Sequence, residues 1–148
     1  MSLKWIRESP PEWDAEKARI IGAAPPGTFG ADKLSRFGVG ELIPGDWWRV
    51  EREGKTVGYG WMDTTWGDAE ILLAVDPEQR RQGVGTFILR HLEDEARGQG
   101  FNYLYNVVSR QHPDADGITE WLGKRDFVSF ADGSLRRSVV PPRPESAS

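Results

Sequence analysis

The chain has 148 residues, 38% hydrophobic and 28% charged, a balance that fits one globular domain with an ordinary core. Lys and Arg number 19 against 23 Asp and Glu, a formal net charge of −4 with no long basic run, which argues against nucleic acid as the main partner. Cysteine is absent, which excludes disulfides and thiolate zinc sites, and with only His91 and His112 as imidazoles no metal site is expected.

Lys4, Arg7 and Glu8 interrupt the N-terminus too early for a signal peptide, and no apolar run approaches bilayer-spanning length. A cytoplasmic location with no membrane partner is therefore the default expectation. Leu3 to Arg7 reads as a first strand. Pro10-Pro11 is expected to open a helix, because proline is tolerated in a first turn and Glu12 and Asp14 suit the dipole. Trp13, Ala18, Ile20 and Ile21 form its apolar face, and Gly22 to Gly27 ends it. Asp32 to Phe37 is expected as a short second helix, broken at Gly38-Val39-Gly40. It falls within a Gly- and Pro-rich stretch, 22–45, of the kind that borders a substrate pocket.

Asp46 to Glu53 and Thr56 to Asp63 read as a hairpin turning at Gly54-Lys55, and Glu70 to Val75 as the third strand of a meander. Trp47 and Trp48 are strand neighbours and must face opposite sides, so one points away from the main core. Val84, Phe87, Ile88, Leu92 and Ala96 have helical spacing across Gly85 to Arg97, and Gly98 and Gly100 stop that helix. Phe101 to Ser109 carries apolar residues at both parities, the pattern of a strand buried on both sides. Asp116 to Lys124 reads as a shorter helix with Ile118, Trp121 and Leu122 inward. Phe127 to Ala131 and Leu135 to Val140 form a closing hairpin around Asp132-Gly133. The domain is expected over 3–140, with Pro141 to Ser148 a disordered, Pro-rich tail.

The most informative segment is Val75-Asp76-Pro77-Glu78-Gln79-Arg80-Arg81-Gln82-Gly83-Val84-Gly85, between an apolar strand and an amphipathic helix. Glycines let backbone N–H groups approach phosphate, the helix N-terminus adds partial positive charge, and Arg80 and Arg81 add full charges. That is the layout of a pyrophosphate cradle. No Gly-x-x-x-x-Gly-Lys-Ser/Thr loop occurs, and Gly83 to Ile88 lacks the third glycine of a dinucleotide fingerprint. The order Arg80-x-x-Gly83-x-Gly85, with Val75-x-Pro77 ahead of it, resembles the acetyl-CoA signature of the GNAT N-acetyltransferases, Gln/Arg-x-x-Gly-x-Gly/Ala at a strand-to-helix junction.

The resemblance implies an α/β (α+β) GNAT fold: a mixed, twisted sheet of six to seven strands with helices on both faces, its central strands splayed at the acetyl-CoA site. It implies backbone contacts to pantetheine from Leu73 and Val75, and pyrophosphate contacts from Arg80, Arg81, Gln82, Gly83, Val84, Gly85 and Thr86. A strand N–H near Leu73 or Ala74 would polarise the thioester carbonyl. The implied activity is acetyl transfer from acetyl-CoA to a primary amine of a small molecule, peptide or protein. The closing strands leave both a monomer and a homodimer open.

An alkylamine with a pKa near ~10.4 arrives protonated, so a base must accept its proton. Glu70, at the start of the central strand where some GNAT members carry a catalytic glutamate, is the first candidate. Asp63, Asp68 and Glu51 rank below it, and His112, after the fifth strand, is a second possible base. Many members use a tyrosine to protonate the leaving thiolate, in a motif resembling Phe-Tyr-x-x-x-Gly-Phe. Here the matching stretch is Trp121 to Phe127, with Leu122 in the tyrosine slot and Asp126 in place of the glycine. Water, Ser109, Tyr105 or His112 would have to serve instead. Asn106 is placed to orient cofactor amides or water at the splay. The missing tyrosine motivates one alternative, a non-catalytic module that binds and senses acyl-CoA; transfer of a longer acyl group is another.

Overall fold

Four strands joined in chain order make the first half of the sheet: β1 (Leu3–Glu8), β2 (Asp46–Arg52), β3 (Lys55–Thr65) and β4 (Asp68–Val75), each antiparallel to the next. A computed structural model of the chain describes residues 3–22, 38–43, 45–65, 68–79, 83–107, 115–130 and 134–139. The β2–β3 turn lies at Glu53-Gly54, one residue earlier than the sequence reading. Both residues have positive φ (53° and 80°), as a two-residue hairpin turn requires, and Arg52 pairs with Lys55.

Beyond β4 a turn of 3-10 helix (Pro77–Gln79) precedes helix α2 (Val84–Gln99), which crosses to β5 (Tyr103–Val107), parallel to β4. Helix α3 (Ala115–Gly123) and the pair β6 (Val128–Ser129) and β7 (Ser134–Ser138) complete the described chain. The seven strands form one mixed sheet in the order β1-β2-β3-β4-β5-β7-β6, with β7 inserted antiparallel between β5 and β6.

Helix α1 (Ala15–Gly22) begins later than the proline pair predicts. Asp14 sets the start, because its Oδ1 accepts the Lys17 N–H at 2.8 Å and satisfies a first-turn donor. Ile20 and Ile21 of α1 pack with Trp13, Trp47, Tyr59 and Ala74 on one face of the sheet. On the other face Val84, Ile88, Leu89, Leu92 and Ala96 of α2 pack on Trp48, Val50, Met62, Ile71 and Leu104, joined by Leu122 of α3. Trp47 and Trp48 thus divide between two cores, as strand alternation demands.

Two strand glycines bring α2 close. A Cβ at Gly58 would sit 2.8 Å from the Ala74 carbonyl oxygen, and one at Gly60 would sit 2.7 Å from Trp5 Cη2 and 3.0 Å from Ile88 Cγ2. Trp5 is held there by stacking on Trp48 and His91 and by donating Nε1–H to Glu95.

β5 departs at Tyr103 from the two-sided burial its sequence predicts. Leu104 is fully buried toward α2, whereas Tyr103 is 42% exposed on the opposite face. Helix α1 packs against β3 and β4. The expected second helix at Asp32 to Phe37 and the tail 141–148 lie outside the described residues. Among the described residues no helix is long and apolar enough to cross a membrane, and no group of three or more His, Asp or Glu could hold a metal ion.

Candidate active site

The sheet opens between β4 and β5. Their parallel pairing runs through Asp68↔Tyr103, Ala69↔Leu104 and Glu70↔Tyr105 and stops, although β4 continues to Val75 and β5 to Val107. At the apex of the opening, Asn106 Nδ2 donates to the Ile71 carbonyl at 2.8 Å. That bond shows which way Ile71 points its main chain. Main-chain polar groups alternate from side to side along a strand, so Leu73 and Val75 direct theirs toward the opening as well. Neither has a β5 partner among the described residues. An extended group bearing amides can take the place of the missing strand there, and Leu73 and Val75 are the residues expected to receive it. Asn106 lies at the same place, with its amide N–H engaged by Ile71.

The last paired rung carries the acid–base candidates. Glu70 pairs with Asp63 on β3 and Tyr105 on β5, so the three side chains share the face opposite α2. Arg136 of β7 is the register partner of Tyr105; its guanidinium lies 5.2 Å from that ring and 3.2 Å from Asp68. Glu70 is half-buried. Glu51, one of the weaker candidates, is instead bound to Arg49 at 2.7 Å on β2. His112 and Ser109 lie outside the described residues. Leu122, in the slot where a tyrosine is common, is 3% exposed within the α2-side core.

At the far end of the opening, Gly83 is the N-cap of α2 with φ 80° and ψ 5°, a left-handed conformation that glycine adopts without strain. Nothing lies within 4 Å of where its Cβ would be. The first turn of α2 has no side-chain cap and no acidic residue, so the N–H groups of Val84, Gly85 and Thr86 and the positive end of the helix dipole are left for an anion. Arg80, Arg81 and Gln82 fall outside the described residues.

Asp76 fixes how β4 leaves the sheet toward this turn. Its Oδ1 accepts the Glu78 N–H at 3.0 Å, its Oδ2 accepts from Arg19 of α1 at 2.6 Å, and its N–H donates to the Val57 carbonyl. Burial alone would raise its pKa, but the bonds from Arg19 and Glu78, with the charges of Arg19 and Lys55, hold it below the ordinary carboxylate value. Asp before Pro is a turn signal in the sequence, yet its partner Arg19 is 57 residues away and could not be read there.

A mixed sheet parted between parallel β4 and β5, with a glycine-capped helix at the end of the opening, is the frame of the GNAT α/β fold. The profile of the Acetyltransferase (GNAT) family matches residues 6–123, and the chain belongs to that family. Over 94 residues, 63% of the chain, it is 29% identical to the [ribosomal protein bS18]-alanine N-acetyltransferase of Escherichia coli K12; it spans 60% of the length of that relative. Among solved structures, the ribosomal-protein-S18-alanine N-acetyltransferase of Escherichia coli superposes with a TM-score of 0.57 at 18% identity, covering 96% of this chain and 97% of that one. The N-acetylglutamate synthase of Neisseria gonorrhoeae, complexed with coenzyme A and N-acetyl-glutamate, gives 0.56 at 23% identity over 64% of this chain and 26% of that one. At those identities the two structures support the fold.

Proposed function

We propose that the protein is an acetyl-CoA-dependent N-acetyltransferase acting on a primary amine, with the α-amino group of a peptide or protein the acceptor to test first. The observation that carries the reading is the opened β4 edge, Leu73 to Val75, running into the uncapped turn at Gly83. The pantetheine arm of CoA is extended and bears amides that suit the edge, and its pyrophosphate suits the turn. The relatives named above point to the terminal amine.

In this reading the amine nitrogen attacks the thioester carbonyl, the C–S bond breaks, and the amine proton and thiolate are handled by groups near the splay. Holding both reactants at one place supplies much of the rate. Glu70, on the last paired rung, accepts the amine proton directly or through water. Tyr105, its partner across that rung, is proposed as the proton source for the thiolate. His112 is the other proposed base. Asn106, engaged with Ile71, acts on the cofactor by holding the apex of the opening.

The buried Leu122 favours a second reading, a domain that binds acyl-CoA without turning it over. One assay separates the two. Peptides with free N-termini and small amines are incubated with acetyl-CoA, and thiol release is followed with mass spectrometry of the acceptor. Acetylated acceptor with matching thiol release supports the enzyme. Tight acetyl-CoA binding with no acetylated product supports the binding module, and no binding removes both.

A further inference from the structure

We propose that Arg125 is an anion-binding residue of the cofactor site, taking a phosphate group of CoA at the first turn of α2; this rests on the acetyl-CoA reading above. Arg125 follows α3 and reaches back over that helix. Its Cζ lies 3.7 Å from the Trp121 ring centroid, Nη1 donates to the Trp121 carbonyl at 3.0 Å, and Nη2 donates to Thr86 Oγ1 at 3.2 Å. Trp121 in turn walls the first turn of α2, since a Cβ at Gly85 would lie 3.5 Å from its Cζ2. The guanidinium is thereby fixed beside the N-terminus of a 16-residue helix.

That placement is electrostatically wrong for an empty protein. Cations suit helix C-termini, and the first turn of α2 holds no acidic residue to offset one. Arg7, Arg19, Arg49, Arg97, Arg136 and Arg137 each pair with a carboxylate. Arg125 has none among the described residues, and partial burial lowers its pKa with no opposing charge. A guanidinium has more N–H donors than its two protein acceptors use. Accepting from Arg125 also leaves the Thr86 hydroxyl hydrogen available to donate. An unpaired cation, a spare hydroxyl donor and the uncapped N–H groups of Val84 to Thr86 converge on one turn, and a phosphate satisfies all three.

CoA offers two phosphate sources, the pyrophosphate and the 3′-phosphate. The test is calorimetric titration of wild type and Arg125→Met with CoA and with 3′-dephospho-CoA, at low and high salt, alongside thermal melts of the ligand-free proteins. Arg125→Met should weaken CoA about 10- to 100-fold and flatten the salt dependence, a loss larger than any ligand-free destabilisation from the missing Trp121 and Thr86 contacts accounts for. Equal weakening toward both ligands assigns Arg125 to the pyrophosphate; weakening toward CoA alone assigns it to the 3′-phosphate. A folded variant that binds both ligands like wild type overturns the assignment, and a lowered melting temperature with unchanged affinity makes Arg125 purely structural. Should Arg125→Met not fold, Arg125→Gln, which keeps a polar side chain but loses the charge, is read the same way. Failure of wild type itself to bind CoA would instead remove the acetyl-CoA reading.

Discussion

At the scale of single residues, Gly83 and Asn106 do different work at the two ends of one opening. Gly83 is constrained by its backbone, since φ is 80° and the space around it is open. Gly83→Val should cost ~1–2 kcal/mol of stability from the left-handed conformation and also lose CoA binding. Gly83→Asn, which tolerates that conformation, should keep the fold; comparing melts with CoA titrations separates strain from blocked phosphate approach. Asn106 holds the apex through one hydrogen bond to the Ile71 carbonyl. Asn106→Leu keeps the volume and removes the donor, and should cost ~0.5–1.5 kcal/mol in denaturant unfolding while raising the KM for acetyl-CoA.

At the scale of elements, the junctions carry the site. Asp76 ties the end of β4 to α1 through Arg19 and shapes the following turn through the Glu78 N–H. Its folded pKa is depressed, so its contribution is complete above the unfolded value of ~3.9 and is lost as pH falls through the lower folded value. Asp76→Asn should therefore be ~1–2 kcal/mol less stable than wild type at neutral pH, and the gap should close as pH falls through the depressed folded value; urea melts from neutral to acid pH check it. The contact of α2 with β3 is equally specific. Gly60→Ala places a methyl against Trp5, which is pinned by Trp48 and His91, and should cost ~1–3 kcal/mol by chemical denaturation.

For the whole molecule, topology opens the site. β7 pairs with β5 over Tyr103 to Val107, so one edge of β5 is held along its length while the other leaves β4 after Glu70. The last shared rung sets Glu70 beside Tyr105 on the face opposite α2. Glu70→Gln should lower kcat about 100-fold or more if Glu70 is the base, with acetyl-CoA affinity unchanged by titration. Wild-type turnover across neutral pH would transfer the role to another group.

The sequence by itself determined what local chemistry can specify. The helical spacing of Val84, Ile88, Leu92 and Ala96, the glycines at the start of α2, the division of Trp47 from Trp48 and the apolar run of β4 all depend on residue type and period, and the architecture and family follow from them. The start of α1 at Asp14 rather than Pro10, and the exposure of Tyr103 on β5, were decided by which groups found partners and which surfaces were covered. Arg19 on Asp76, Asn106 on Ile71 and Arg125 on Thr86 join residues 57, 35 and 39 positions apart. Such pairings leave no trace in spacing, because a hydrogen bond forms wherever folding brings donor to acceptor, and only the tertiary structure does that.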